Sequence, residues 1–306
     1  MSIPLKTDDQ SSEFKTSKMW ERLNTKHKKD IEKYGYKNFK RTVALQYFTW
    51  IYSPSRFKPL FELISASSKT DIIKSCALAF SGTLKSKKED YRPLAMYQYL
   101  FYNFHTRLLY RFMKKRGFKF EEEPLAGNPV RIYEDGMLIS EDIANSLTEY
   151  YFITLHLGDF KTIWEIGGGY GRTAYIFLKL HPKVRYILTD IEPAATIQLK
   201  YLRSQFPKAN IISIPPKQLR SIPKNIDLAI NISSFQEMTK DTKDEYLNVI
   251  GKVAKHAYLK EWKNWHNEDD NVTLSEEDYH LDGWKEIAKK DCPFLPGFFE
   301  ALYRTN

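Results

Sequence analysis

Thr162-Ile-Trp-Glu-Ile-Gly-Gly-Gly-Tyr-Gly-Arg172 reads as a short apolar strand ending at Ile166, a glycine turn, and the start of a helix running to Leu180. Glycines at 167, 168, 169 and 171 let a ligand approach the backbone because no Cβ intervenes, and a helix amino terminus presents N–H donors. Val184–Thr189 reads as the next strand. Asp190 closes it, where a carboxylate can accept hydrogen bonds from ribose hydroxyls. Both points fall on the carboxyl edge of a sheet, the edge on which open α/β folds bind ligands.

Working outward, Ala195–Gln205 is a helix, Ala209–Ile214 and Ile226–Ile232 are strands, and Asp241–Ala254 is a helix. Ala257–Lys260 is a fifth strand and Phe298–Tyr303 a closing one. This alternation predicts an α/β, Rossmann-like parallel sheet with helices on both faces. Upstream the texture differs. Residues 1–18 are a polar tail, and Trp20 to Arg116 follows helical patterning. Two apolar clusters, Val43–Ile51 and Ile72–Phe80, and a stripe at Leu94, Tyr97, Phe101, Phe104, Leu108 and Phe112 predict buried helix faces. Lys114, Lys115 and Arg116 suit a helix carboxyl end, and Gly117 a stop. Ser140, with Glu141 and Asp142 behind it, is a good helix start for Ser140–Tyr151. The chain therefore divides into a helical amino-terminal domain (1–120), a connector and helix (121–157), and an α/β domain (158–306).

Composition narrows the class. With 42% hydrophobic residues and only 13 Gly and 14 Pro among 306, collagen-like and broadly disordered chains are excluded. Cys76 and Cys292 are too few for a disulfide framework or a cysteine zinc site, and the amino terminus lacks an apolar secretory stretch, so a soluble cytoplasmic protein is expected. The net charge of +9 is uneven. Residues 1–120 hold 25 basic against 10 acidic side chains, an excess that suits a phosphorylated substrate, an anionic glycan, a nucleic acid or peripheral contact with an acidic membrane. A solvated lysine-rich surface fits the same numbers.

Two nucleoside motifs compete for the turn. The dinucleotide fingerprint needs a third glycine where Arg172 stands. Glu165-x-Gly-x-Gly-x-Gly171 instead resembles the first motif of class I S-adenosylmethionine-dependent methyltransferases. Gly127-Asn-Pro129, Asn231-Ile-Ser-Ser-Phe-Gln-Glu-Met238, Tyr258-Leu-Lys-Glu-Trp262 and Phe298-Phe-Glu-Ala-Leu-Tyr303 add a narrower resemblance to the sugar O-methyltransferases of bacterial polysaccharide and glycosylated natural-product pathways. It covers residues 125–306. The resemblance implies that Glu165 with Gly167, Gly168, Gly169, Tyr170 and Gly171 cradles the methionine end of S-adenosylmethionine. Asp190 and Ile191 would then hold the ribose side, with S-adenosylhomocysteine as product; Asn231, Ser233 and Ser234, at the end of the fourth strand, are candidates for the sulfonium end. Strand-end capping is the bland alternative for Asn231 and Ser233.

Methyl transfer to a sugar hydroxyl is an in-line displacement aided by a general base. Glu237, after the fourth strand on the cofactor edge, is the first candidate; a helix-starting carboxylate that caps backbone N–H groups or pairs with Arg172 is its rival reading. His266 and His280, in the loop after the fifth strand, are alternative bases. Asn128, Gln236 and Trp262 are candidates for orienting or stacking on the acceptor, a sugar or phosphorylated glycan. Asp269, Asp270 and Asp278 supply oxygen ligands but no metal-loop spacing, so no metal is expected. An RNA methyltransferase, or a catalytically inactive methyltransferase-like binding protein, are the competing functions. No RNA-binding motif accompanies the basic segment, so no nucleic acid is expected.

Overall fold

The computed structural model describes residues 16–44, 57–292, 295 and 297–305. The expected tail before residue 16 and the apolar run Leu45–Ile51 lie outside the described residues. The helical part contains α1 (Lys18–Tyr34), α2 (Phe57–Ala66), α3 (Lys69–Lys85) and α4 (Met96–Lys115), and α5 (Glu141–His156) follows with Ser140 as its cap, its hydroxyl accepting the Ile143 N–H. Helix α3 packs antiparallel on α4 through small or polar side chains: Asp71, Ser75, Ala79 and Thr83 are buried. The expected core residues Ile73, Leu78 and Phe80 face solvent instead, as do Tyr97 and Phe101 of the α4 stripe. The bulk on α4 explains the inversion. Its inner face carries Tyr99, Tyr102 and Arg107, and Arg107 and Arg111 both reach Glu134, which leaves only small residues room on α3.

The α/β part follows in the order β1 (Thr162–Ile166), α6 (Arg172–Leu180), β2 (Arg185–Thr189), α7 (Ala194–Gln205), β3 (Asn210–Ser213), β4 (Leu228–Ile232), α8 (Lys240–Val253), β5 (His256–Trp262), β6 (Lys285–Asp291) and β7 (Phe298–Arg304). The strands lie in the order β6-β7-β5-β4-β1-β2-β3. The sheet is mixed rather than wholly parallel: β7 runs antiparallel between β5 and β6. Strand β6, which the sequence did not announce, is a charged edge strand with no apolar alternation, the usual protection against edge pairing.

Alternation along the central strands builds a core on each face. Ile163, Tyr186 and Leu188 share one cluster with Ile176 and Phe177 of α6, and with Phe39, Leu63 and Leu108 from the helical part. Trp164, Ile166 and Ile187 join Phe235, Tyr246 and Leu259 on the other. The core is thus continuous from the amino-terminal helices into the sheet. Among the described residues, no helix is long and apolar enough to cross a membrane.

Candidate functional site

Strands β1, β2 and β4 end together, and the turns that leave them form a crevice. Its lining includes Glu165, Gly167, Gly168, Gly169, Tyr170, Asp190, Ile191, Ser233 and Glu237. Two carboxylates mark one wall. Asp190 accepts the N–H groups of Gly169 (3.0 Å) and Ile191 (2.7 Å), which pins the glycine turn to the end of β2. Burial pushes its pKa up to about 7 against these two donors. Glu165, buried at the end of β1, accepts the Tyr186 hydroxyl at 2.9 Å. Burial likewise lifts it to about 7, opposed by the Tyr186 hydrogen bond and by Arg172.

The turn requires glycine. Gly167 has φ +68°, and a Cβ there would lie 2.0 Å from the Ser234 Oγ. At Gly168 a Cβ would meet Gln198 Nε2 at 2.5 Å and the Glu165 carboxyl carbon at 2.8 Å. Gly171 is not in the crevice lining; it starts α6 with φ +92° and packs on Leu202 and Gln198 of α7. The glycines therefore make room for the Ser234, Gln198 and Glu165 side chains that pack against the turn.

Below the crevice sits a buried ionic group that the sequence analysis missed. Arg172 donates to both Glu149 carboxylate oxygens (2.8 and 2.9 Å), and Lys260 Nζ donates to Oε1 at 2.9 Å. Burial alone would raise the Glu149 carboxyl, but Arg172 and Lys260 outweigh it and hold it below the usual range. Arg172 and Lys260 both line the crevice, as do Asp142 and Asn145 of α5. Asp142 accepts the Tyr170 hydroxyl at 2.6 Å. A signal was present: Asp142, Asn145, Ser146 and Glu149 recur at helical spacing on a helix that otherwise buries apolar residues. Arg172 pairs with Glu149 at 2.8 Å.

Other predicted residues fall outside the lining. Asn231 is fully buried; its Nδ2 donates to the Ile166 carbonyl and its Oδ1 accepts the Phe235 N–H, both at 3.1 Å, so it joins the β1 end to the turn after β4. Gln236 is buried and its Oε1 accepts the Trp262 N–H. Trp262 packs on Trp265 and Phe298. Asn128 donates to Asn38 Oδ1 and its carbonyl accepts from Arg41, away from the crevice. His266 is exposed on a hairpin after β5, in which Asn264–Asn267 pairs antiparallel with Val272–Ser275, and contacts Thr273 at 2.8 Å. His280, expected on the cofactor edge, stacks on Tyr303. Tyr303 pairs with Ala257 at the beginning of β5, which puts His280 at the opposite edge of the sheet.

The acidic loop has a different task from metal binding. Asp270 accepts the Lys18 N–H at 2.9 Å and Asp269 pairs with Arg22, so the hairpin tip caps α1. That contact holds Ser17 and Trp20 at the crevice rim. Asp278 caps its own turn by accepting the Ser275 N–H. Among the described residues, no group of three or more His, Cys, Asp or Glu is arranged to hold a metal ion.

No family model and no curated protein matches the sequence. Among solved structures, the chain is similar to the mitomycin 7-O-methyltransferase MmcR at 17% identity and a TM-score of 0.41, over 53% of this chain and 55% of that one. It is similar to a SAM-dependent methyltransferase from Aquifex aeolicus at 15% identity and a TM-score of 0.42, over 52% and 89% of the two chains. The [4+2]-cyclase SpnF matches at 12% identity and a TM-score of 0.43, over 53% and 81%. The chain thus covers about half the length of MmcR. The reaction has to be read from the crevice itself.

Proposed function

We propose that the protein is an S-adenosylmethionine-dependent O-methyltransferase acting on a sugar hydroxyl, of a free, nucleotide-linked or glycan-borne sugar. The observation that carries this reading is the pairing, in one crevice, of a glycine turn pinned by Asp190 with the Glu237 carboxylate on the turn after β4. The donor set fits this cofactor. Asp190 offers acceptor oxygens for vicinal hydroxyls, Glu165 suits a cationic amino group, and the Gly167–Gly169 backbone lines the crevice between them. S-adenosylmethionine, when bound, supplies an electrophilic methyl group. Arg172 and Lys260 line the crevice and can meet a ligand carboxylate.

Glu237 is assigned the role of general base. A hydroxyl is a poor nucleophile while protonated, and a carboxylate within hydrogen-bond reach takes its proton as the oxygen attacks. The sugar assignment rests on the resemblance of residues 125–306. Glu237→Gln should lower kcat roughly 100-fold or more with donor affinity unchanged. A variant that retains full turnover removes Glu237 from the mechanism.

A further inference from the structure

Helix α3 is turned inside out. Its buried positions are Asp71, Ser75, Ala79 and Thr83, whereas Ile73, Ala77, Phe80 and Leu84 form a stripe at four-, three- and four-residue steps on the solvent side. Ile73, Phe80 and Leu84 are 67%, 57% and 66% exposed. The stripe runs about 16 Å at the helical rise of ~1.5 Å per residue. The two helices meet where Ser86 Oγ lies 3.2 Å from the Tyr99 hydroxyl, and there α4 adds exposed Tyr97 and Phe101. Scattered exposed apolar residues need no explanation, but a continuous face of this kind marks a contact surface.

Charge selects the occupant. Residues 57–120 carry 13 basic and 4 acidic side chains, of which Arg107, Arg111 and Lys114 are paired with Glu134 and Asp135. Lys69, Lys74 and Lys85 are exposed on α3 itself. The helix's one carboxylate, Asp71, is buried and paired with Lys115. A second copy is a poor partner, since a two-fold contact through α3 would set these lysines against their own counterparts. We infer that the outer face of α3, with the start of α4, docks on an anionic phospholipid surface. Ile73, Phe80 and Leu84 enter the headgroup boundary and the flanking lysines meet lipid phosphates. No residue of α3 or α4 lines the glycine-turn crevice, so this inference stands independently of the proposed reaction.

Co-sedimentation of the full chain with vesicles of phosphatidylcholine, alone or mixed with phosphatidylglycerol, tests it. The mixed vesicles should bind at least ~10-fold more tightly, and added salt should weaken that binding. Phe80→Ser with Leu84→Ser, both at exposed positions, should lose ~10-fold or more. Lys74→Glu with Lys85→Glu should do the same while keeping the apolar stripe. Cys76 is exposed on the same helix and Cys292 is buried, so a polarity-sensitive dye on Cys76 should shift to the blue with mixed vesicles. Absence of binding, equal binding to both vesicle types, or unchanged binding of either double variant overturns the inference. So does a wild-type dimer in gel filtration that Phe80→Ser with Leu84→Ser dissociates.

Discussion

Replacing Glu149 by glutamine removes the counter-ion of two buried cations at once. Glu149 is fully buried, and the Lys260 side chain is 5% exposed against 17% for Arg172. In the variant one amide oxygen remains to accept, while the new amide N–H faces the donor-only Arg172 or Lys260, with the Thr173 hydroxyl as its one possible acceptor among Glu149's partners. Breaking a buried ion pair from one side costs about 3–5 kcal/mol, most of it the uncompensated charge left behind. The three side chains come from α5, α6 and β5, so the loss should spread to the whole crevice floor. Urea unfolding should show the midpoint fall with little change in slope. Glu149→Gln combined with Lys260→Met, which removes one orphaned cation, should recover part of the loss. The pH dependence supplies a sign. Because the folded-state carboxyl is held below its ordinary value, its contribution is present above that value and disappears as pH falls through the lowered one. Wild type and variant should therefore converge in acid. A Glu149→Gln protein within about 0.5 kcal/mol of wild type at neutral pH would refute the reasoning.

Glu165 and Asp190, both raised to about 7, and Asp142, raised to about 6 chiefly by burial with Glu123 adding and Tyr170, Arg172 and Lys40 opposing, act in the other direction. Their stabilising contribution is complete below their ordinary values and is lost as pH rises through these folded-state values, so the ligand-free melting temperature should drop between about pH 5 and 8. A melting curve that rises over that window contradicts this, and Glu165→Gln should flatten it. Gly167→Ala puts a Cβ 2.0 Å from Ser234 Oγ at a left-handed φ, so binding of S-adenosylhomocysteine should fall below detection by calorimetry while the fold persists by circular dichroism. Asp270→Ala removes the acceptor for the Lys18 N–H and should cost about 0.5–2 kcal/mol locally, read as faster hydrogen exchange over residues 17–24; unchanged exchange there would dismiss the hairpin as a cap.

Much of the α/β part was legible because each element obeyed one rule strongly. Thr162–Ile166 and Arg172–Leu180 have the bounds expected of them, since an apolar run meets a glycine turn and then a 3.6-residue period. What remained hidden depends on partners remote in sequence. Strand β6 is edge-exposed and charged, so it carries no alternation to read. The α3 stripe has the spacing of a core face, and only the bulk of α4 decides that it turns outward. At the site, Asn231 and Gln236 looked like ligand contacts because polar residues at strand ends serve backbone and ligand alike; their partners are the Phe235 and Trp262 amides. Lys260 was passed over as a strand residue, yet it joins Glu149, 111 positions away, at the crevice floor.

Titration of S-adenosylhomocysteine into wild type and Asp190→Ala by calorimetry puts the central claim at risk most directly. Binding of one molecule per chain is predicted, with Asp190→Ala weaker by about 1.5–3 kcal/mol, or roughly 10- to 150-fold. No heat in the wild type, equal affinity in the two proteins, or preferential binding of a nicotinamide dinucleotide would contradict it.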